Sequence, residues 1–286
     1  MLFRSHRTLA PIQLVPNDAN AIELDRGKGT MDVDLCATTV ELEARMTARD
    51  PGRPVFFYSL PQNVHIAVAT RRPVPDAGRY PGFFAPVAAG VQRIDACVGG
   101  FVDYLKRAGL YDDSVIILTS DHGDSLGEQG RWGHAYFMVP EVMRVPLIVH
   151  VPPRLRERIA VDLAALTLST DIAPSLYALL GYEPADRGAL FGHPVFTPPE
   201  GDSSWRRRES FLLASTYGAV YGILRQNGRR MEVVNAVDNE EFAYDVTDGL
   251  LGRRIAMTAA TIDANRHAIG RQLSELAALY HYQAPR

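Results

Sequence analysis

The stretch that decides the reading of this chain is Ser114–His134, SVIILTSDHGDSLGEQGRWGH. Val115 to Leu118 are aliphatic and mostly β-branched, the composition of a buried strand. That run gives way to Thr119 and Ser120, and Asp121, His122 and Gly123 follow at once. A polar loop punctuated by Gly127 and Gly130 comes next, closing on Trp132, Gly133 and His134. In open α/β sheets ligands collect outside the carboxyl ends of the strands. Successive strand side chains point to opposite faces, so Asp121 and His122 can share one metal only where the strand ends. Gly123 would let the backbone turn there.

Composition sets outer limits. The chain has 286 residues, 47% hydrophobic and 22% charged, with a formal charge of -3. Those are ordinary values for a soluble globular protein, and a nucleic-acid binder would carry a basic excess instead. No apolar run approaches the roughly 20 residues that span a bilayer. The opening MLFRSHRTLAPIQLVP is interrupted by Pro11 and Pro16 and does not read as a signal peptide. Location and oligomeric state stay open. Cys36 and Cys97 show neither metal-type nor redox-type spacing and read as buried free thiols.

Outward from the opening stretch, Pro86 to Ala108 reads as a long helix. Val87, Val91, Ile94, Val98, Phe101, Leu105 and Ala108 recur at three- and four-residue steps, and Gly109 is a natural stop. Asp32 to Ala48 reads as a shorter helix, and Arg53 to Leu60 as a buried strand followed by His65. Beyond the loop, Val145 to Val151 reads as another buried strand and Leu163 to Leu168 as a short one. Ile172 to Leu180 is a helix capped by Thr170 or Asp171 and ended by Gly181. Helix, turn and buried strand in succession imply a parallel α/β sheet covered on both faces.

The final third changes character. Phe211 to Arg225 and Met231 to Asn235 flank Asn227-Gly228 as a hairpin, Phe242 to Val246 is a third strand, and Ile262 to Tyr280 carries a helical stripe. The expected organisation is an irregular segment at 1–30, an α/β core at 31–200 and a small C-terminal α+β subdomain at 201–286. Residues 71–86 and 183–208 read as loop or linker.

Four segments in order resemble the sulfatase family of the alkaline-phosphatase-like superfamily. They are RPVFFYSLPQNVH, the helix–strand–loop GVQRIDACVGGFVDYLKRAGLYDDSVIILTSDHGDSLGEQG, the pair RVPLIVHVP and STDIAPSLYALLG, and EEFAYDVTDG. The resemblance implies the C-terminal half of that family's mixed sheet flanked by helices. It places Asp121 and His122 on the family's metal ligands and His65 on a histidine that contacts the sulfate or phosphate group. His134 falls where sulfatases hold lysine and phosphoethanolamine transferases hold histidine. His65 and His134 are therefore the expected catalytic and substrate-binding residues. Calcium, zinc or manganese is the expected cofactor, and a small-molecule or glycan ester the expected substrate. Glu128 also fits the loop.

The family's nucleophile, a cysteine or serine in C-x-P-x-R or S-x-P-x-R, or else a serine or threonine, has no counterpart here. Cys36 is followed by Ala37, Thr38 and Thr39 inside a helix. Three readings follow: a fragment of a sulfuric or phosphoric ester hydrolase, a phosphoethanolamine or phosphoglycerol transferase relative, or an inactive chain that keeps the fold.

Overall fold

The computed structural model describes residues 34–61, 63–69, 84–135, 138–163, 165–181, 192–196, 210–213, 219–247 and 251–279. The readings of 1–30 and most of 71–86 and 183–208 lie outside them. The described residues divide into two compact units, one built on 117–149 and 154 onward and the other on 34–116 with 150–153. Among the described residues no helix is long and apolar enough to cross a membrane.

In the second of these units, helix α1 (Leu35–Thr47) starts where the Asp34 carboxylate accepts from the Cys36 N–H at 2.8 Å, a side-chain N-cap. A four-residue helix, α2 (Ile66–Ala69), follows His65. The long helix predicted at 86–108 forms as α3, Ala85–Arg107. Cys36 on α1 and Cys97 on α3 are joined by a disulfide, with Cα atoms 5.2 Å apart. This corrects the free-thiol reading. The two residues are 61 positions apart, and only the packing of α1 on α3 brings them together. The buried strand expected at 53–60 does not form. Phe56 and Tyr58 are 63% and 71% exposed, alternating with less exposed neighbours. The segment has a strand's alternation but joins none of the sheets among the described residues.

The other unit opens with β1 (Ile116–Thr119), the strand predicted from the opening stretch. A short hairpin of β2 (Ser125–Leu126) and β3 (Trp132–Gly133) follows, then one turn of helix, α4 (Pro140–Met143). β4 (Leu147–His150) pairs with β1 in a two-stranded sheet. The reading of β1 and β4 as fully buried needs correction, since Leu118, Leu147 and Ile148 are exposed. Two strands cannot bury both faces. The short α5 (Pro153–Arg156) and the predicted α6 (Ile172–Leu180) come next. Residues 165–168 are not a strand, and Leu163 is nearly fully exposed.

The C-terminal region is a five-stranded antiparallel sheet in sequence order with one helix. Its strands are β5 (Ser210–Leu213), β6 (Val220–Arg225), β7 (Arg230–Asn235), β8 (Glu240–Asp245) and β9 (Arg253–Ile255), and the helix is α7 (Ala259–Leu279). The α+β expectation holds, with β5 separate from β6 and β9 added. Strand alternation then sorts the side chains. Val220, Met231, Val233, Phe242 and Tyr244 form a core with Met138, Val139 and Val142 around α4. The opposite face meets α7, where Ile223 packs on Ala268 and Ile269. This sheet is covered on both faces, and α4 is fixed by its inner core.

On the α7 face Glu232 is buried at 2% exposure. It accepts from Arg225 Nε at 2.8 Å and Arg230 Nε at 2.6 Å, and Arg225 also donates to Asn265 of α7. Burial pushes the Glu232 carboxyl up, but hydrogen bonds from Arg225, Asn265 and Arg230 outweigh it and hold the group below its ordinary 4.5. A depressed carboxyl contributes stability that is complete above the unfolded value and is lost as pH falls through the folded one. Urea midpoints should therefore decline below about pH 4.5, and Glu232→Gln should flatten that decline. Glu232→Ala should cost about 3 kcal/mol at neutral pH, two charge-assisted hydrogen bonds at about 1.5 kcal/mol each. Reducing Cys36–Cys97 should destabilise the α1–α3 unit by about 2–4 kcal/mol, read as a lower melting temperature under reductant.

Candidate metal and catalytic site

β1 delivers the chain to Ser120, whose Oγ donates to the His122 carbonyl at 2.6 Å and closes a tight turn behind the strand. Asp121 Oδ1 accepts from the His122 backbone N–H at 3.0 Å. Gly123 then runs against α4, and its N–H donates to the Val142 carbonyl at 2.7 Å. A Cβ at Gly123 would collide with the Glu141 carbonyl oxygen. Gly123 is not among the positive-φ glycines, so space and not backbone freedom demands glycine here.

The loop beyond is a hairpin. Ser125 pairs with Gly133 and Leu126 with Trp132, and the turn between them uses Gly127 and Gly130 at φ of 113° and 79°. The Glu128 carboxylate accepts from the Leu126 N–H inside the turn, which is the place this structure gives that residue. Both arms are tied to one carboxylate behind them. Ser125, fully buried, donates to Glu141 Oε1 at 2.9 Å, and Arg131 Nη2 donates to the same oxygen at 3.0 Å.

One step beyond the Ser125–Gly133 pair, the register sets Asp124 opposite His134. His134 Nδ1 is 2.7 Å from Asp124 Oδ1. A carboxylate only accepts, so Nδ1 carries the proton. The His134 ring lies against the His122 ring, centroids 3.8 Å apart. His122 Nδ1 is 2.9 Å from the Gly123 carbonyl, which again makes Nδ1 the donor. With Nδ1–H engaged in each ring, the nitrogen left to act as ligand or base is Nε2. Histidine ligands to metals carry this pattern, donating the second nitrogen to a carbonyl or carboxylate.

His122 Nε2 stands 3.7 Å from Asp121 Oδ2, a separation that two ligands of one ion can share. His122, Asp124 and His134 form a group of three whose ligand atoms lie within 4.8 Å of one another. Asp121 is outside that group; its Oδ2 faces His122, and its Oδ1 also accepts from Ser120 Oγ at 3.4 Å. A carboxylate with imidazoles is a donor set suited to zinc or manganese, whereas calcium prefers oxygen throughout.

Asp121, His122 and His134 therefore come together in one unit. His65 belongs to the other unit, at the start of α2, where its carbonyl accepts from the Ala69 N–H at 2.9 Å. The residues before it are fixed. Asn63 is 1% exposed and accepts from the Leu35 N–H at 2.9 Å, and its carbonyl would lie 2.9 Å from a Cβ at Gly90 of α3. Asp124 and Glu141 escape the motif-based reading. The signal for Asp124 is the hairpin, since apolar Leu126 and Trp132 flank a turn with two glycines and set Asp124 across from His134.

A family model described as Sulfatase matches residues 14–182, more than half of the chain. An N-acetylglucosamine-6-O-sulfatase of Bacteroides thetaiotaomicron is 27% identical over 175 residues, covering 59% of this chain and 31% of the relative. A choline-sulfatase of Rhizobium meliloti is 37% identical over 94 residues, 32% of this chain and 17% of the relative. The chain thus spans about a third or less of the length of these relatives. The solved phosphonate monoester hydrolase of Silicibacter pomeroyi superposes with a TM-score of 0.51 at 20% identity, covering 84% of this chain and 60% of that one. That likeness is one of fold.

Gly123→Ala should break the seat of the hairpin. Overpacking a backbone contact costs about 1–3 kcal/mol, measurable by urea denaturation. The same variant should separate the His122 and His134 rings, seen as loss of the nuclear Overhauser contact between them.

Proposed function

The chain belongs to the sulfatase family, within the alkaline-phosphatase-like superfamily, and from that membership we infer that it acts in metal-dependent hydrolysis of sulfuric or phosphoric esters. The observation that carries the reading is the strand-end pair His122 and His134, rings 3.8 Å apart, with each Nδ1 engaged as a donor. Asp121 and His122 would hold a divalent ion, and zinc or manganese fits their chemistry best. Such an ion would polarise the ester oxygens and activate the attacking group.

The rest falls to side chains. His134 presents Nε2, the atom that would bind the transferring group and pass a proton to the leaving oxygen. His65 takes, by resemblance, a second contact to the sulfate or phosphate. The family's nucleophile motif does not occur in the sequence. Sulfated glycans or small sulfate esters are the substrate class, in keeping with the names of the relatives. One residue favours a second reading, phosphoethanolamine or phosphoglycerol transfer. His134 stands where sulfatases hold lysine.

The test is turnover of nitrophenyl sulfate and nitrophenyl phosphate by protein expressed from its full reading frame, with zinc, manganese or calcium supplied. Turnover is expected, and Asp121→Ala and His122→Ala should each reduce it by about 10²-fold or more. Activity untouched by both substitutions would overturn the reading. A folded protein that turns over neither ester with any of the three ions would instead be the inactive chain.

A further inference from the structure

We propose that Asp124 is a positioning residue that fixes the tautomer and orientation of His134, so that Nε2 and not Nδ1 meets the substrate. The inference rests on the hydrolase reading only for what His134 does. The Asp124–His134 arrangement stands on geometry.

Three independent features hold the pair. The hairpin register places Asp124 across from His134, immediately after the Ser125–Gly133 pair. Ser125 and Arg131 are both anchored to Glu141 Oε1, so the two arms share one fixed point behind the pair. The 2.7 Å contact joins Oδ1 to Nδ1, and both side chains are largely shielded, at 16% and 20% exposure.

The chemical consequence follows from the donor inventory. A carboxylate cannot donate, so the imidazole must place its proton on Nδ1 to make this bond. A neutral histidine free in water favours the opposite tautomer, with the proton on Nε2. Asp124 thus inverts the intrinsic preference and leaves the ring's lone pair on Nε2. The His122 ring, tilted by 35° with its centroid 3.8 Å away, limits rotation of His134 about its side-chain bonds. A lysine would need no such partner, because its ammonium presents protons in every direction. An imidazole must be told which nitrogen to use.

The experiment is nitrogen-15 NMR of the full chain with labelled histidine, in alkaline buffer, with the His134 signal assigned by His134→Gln. In the unaltered protein Nδ1 should carry the proton and Nε2 should show the shift of an unprotonated nitrogen. In Asp124→Ala the two should exchange character, and Asp124→Glu should restore the original pattern at least in part. A purely structural carboxylate would leave the tautomer unchanged. In the expressed enzyme Asp124→Ala should lower kcat by about 10²-fold with KM within about threefold.

The inference is overturned if His134 keeps its proton on Nδ1 in Asp124→Ala, or carries it on Nε2 from the start. It is also overturned if zinc removes the Nδ1 proton and binds Asp124 and His134 together, which would make them ligands. Should Asp124→Ala fail to fold, Asp124→Leu provides the same comparison, since it keeps the side-chain volume but offers no acceptor to Nδ1–H. The NMR results hold whether or not the protein turns over an ester, so failure of the hydrolase reading and of this inference are separable.

Discussion

The closest constraint on the site is the approach of Gly123 to the Glu141–Val142 backbone. No side chain fits between them, and the 2.7 Å hydrogen bond from Gly123 to Val142 fills the gap. Val142 is itself buried in the core beneath the five-stranded sheet, beside Met231, Val233 and Tyr244. The position of His122 is thereby set by hydrophobic packing on the C-terminal sheet and not by the short strand that leads into it. That strand alone would be a poor foundation, because β1 and β4 are only a two-stranded pair with exposed apolar residues. Glu141 extends the same support by one side chain, receiving Ser125 and Arg131 from the two arms of the hairpin.

From that anchor the chemistry follows in short steps. A turn closed by Ser120 presents Asp121 and His122, and a hairpin returns His134 to lie against the His122 ring. Each histidine spends Nδ1 on an oxygen acceptor, one from the backbone and one from Asp124. Two imidazoles committed in this way, beside carboxylates, form a surface suited to a divalent ion and an anionic ester. The fold supplies positions, and the residue types supply the reaction class.

Much of this is legible in the sequence, for identifiable reasons. The stripe from Val87 to Ala108 predicts α3 to within a residue at each end, because helical periodicity over six turns is hard to mistake. Asp121, His122 and His134 are readable because the strand, its abrupt polar end and the family resemblance all point to them. Other features depend on packing that periodicity cannot report. Cys36 and Cys97 look like free thiols until α1 is laid on α3. Arg53 to Leu60 and Val145 to Val151 have the composition of buried strands, but burial needs flanking strands. Phe56, Tyr58 and Ile148 are exposed without them. Asp124 becomes visible only through a hairpin register, and Glu141 only through the partners that converge on it.

The measurement that tests the account most directly is divalent-ion binding to the purified chain, followed by calorimetry with zinc and by the visible bands of cobalt. One ion should bind at the loop of the unaltered protein and be lost in His122→Ala, with the fold intact by circular dichroism. Undiminished binding in His122→Ala, or no binding by a correctly folded chain, would contradict it.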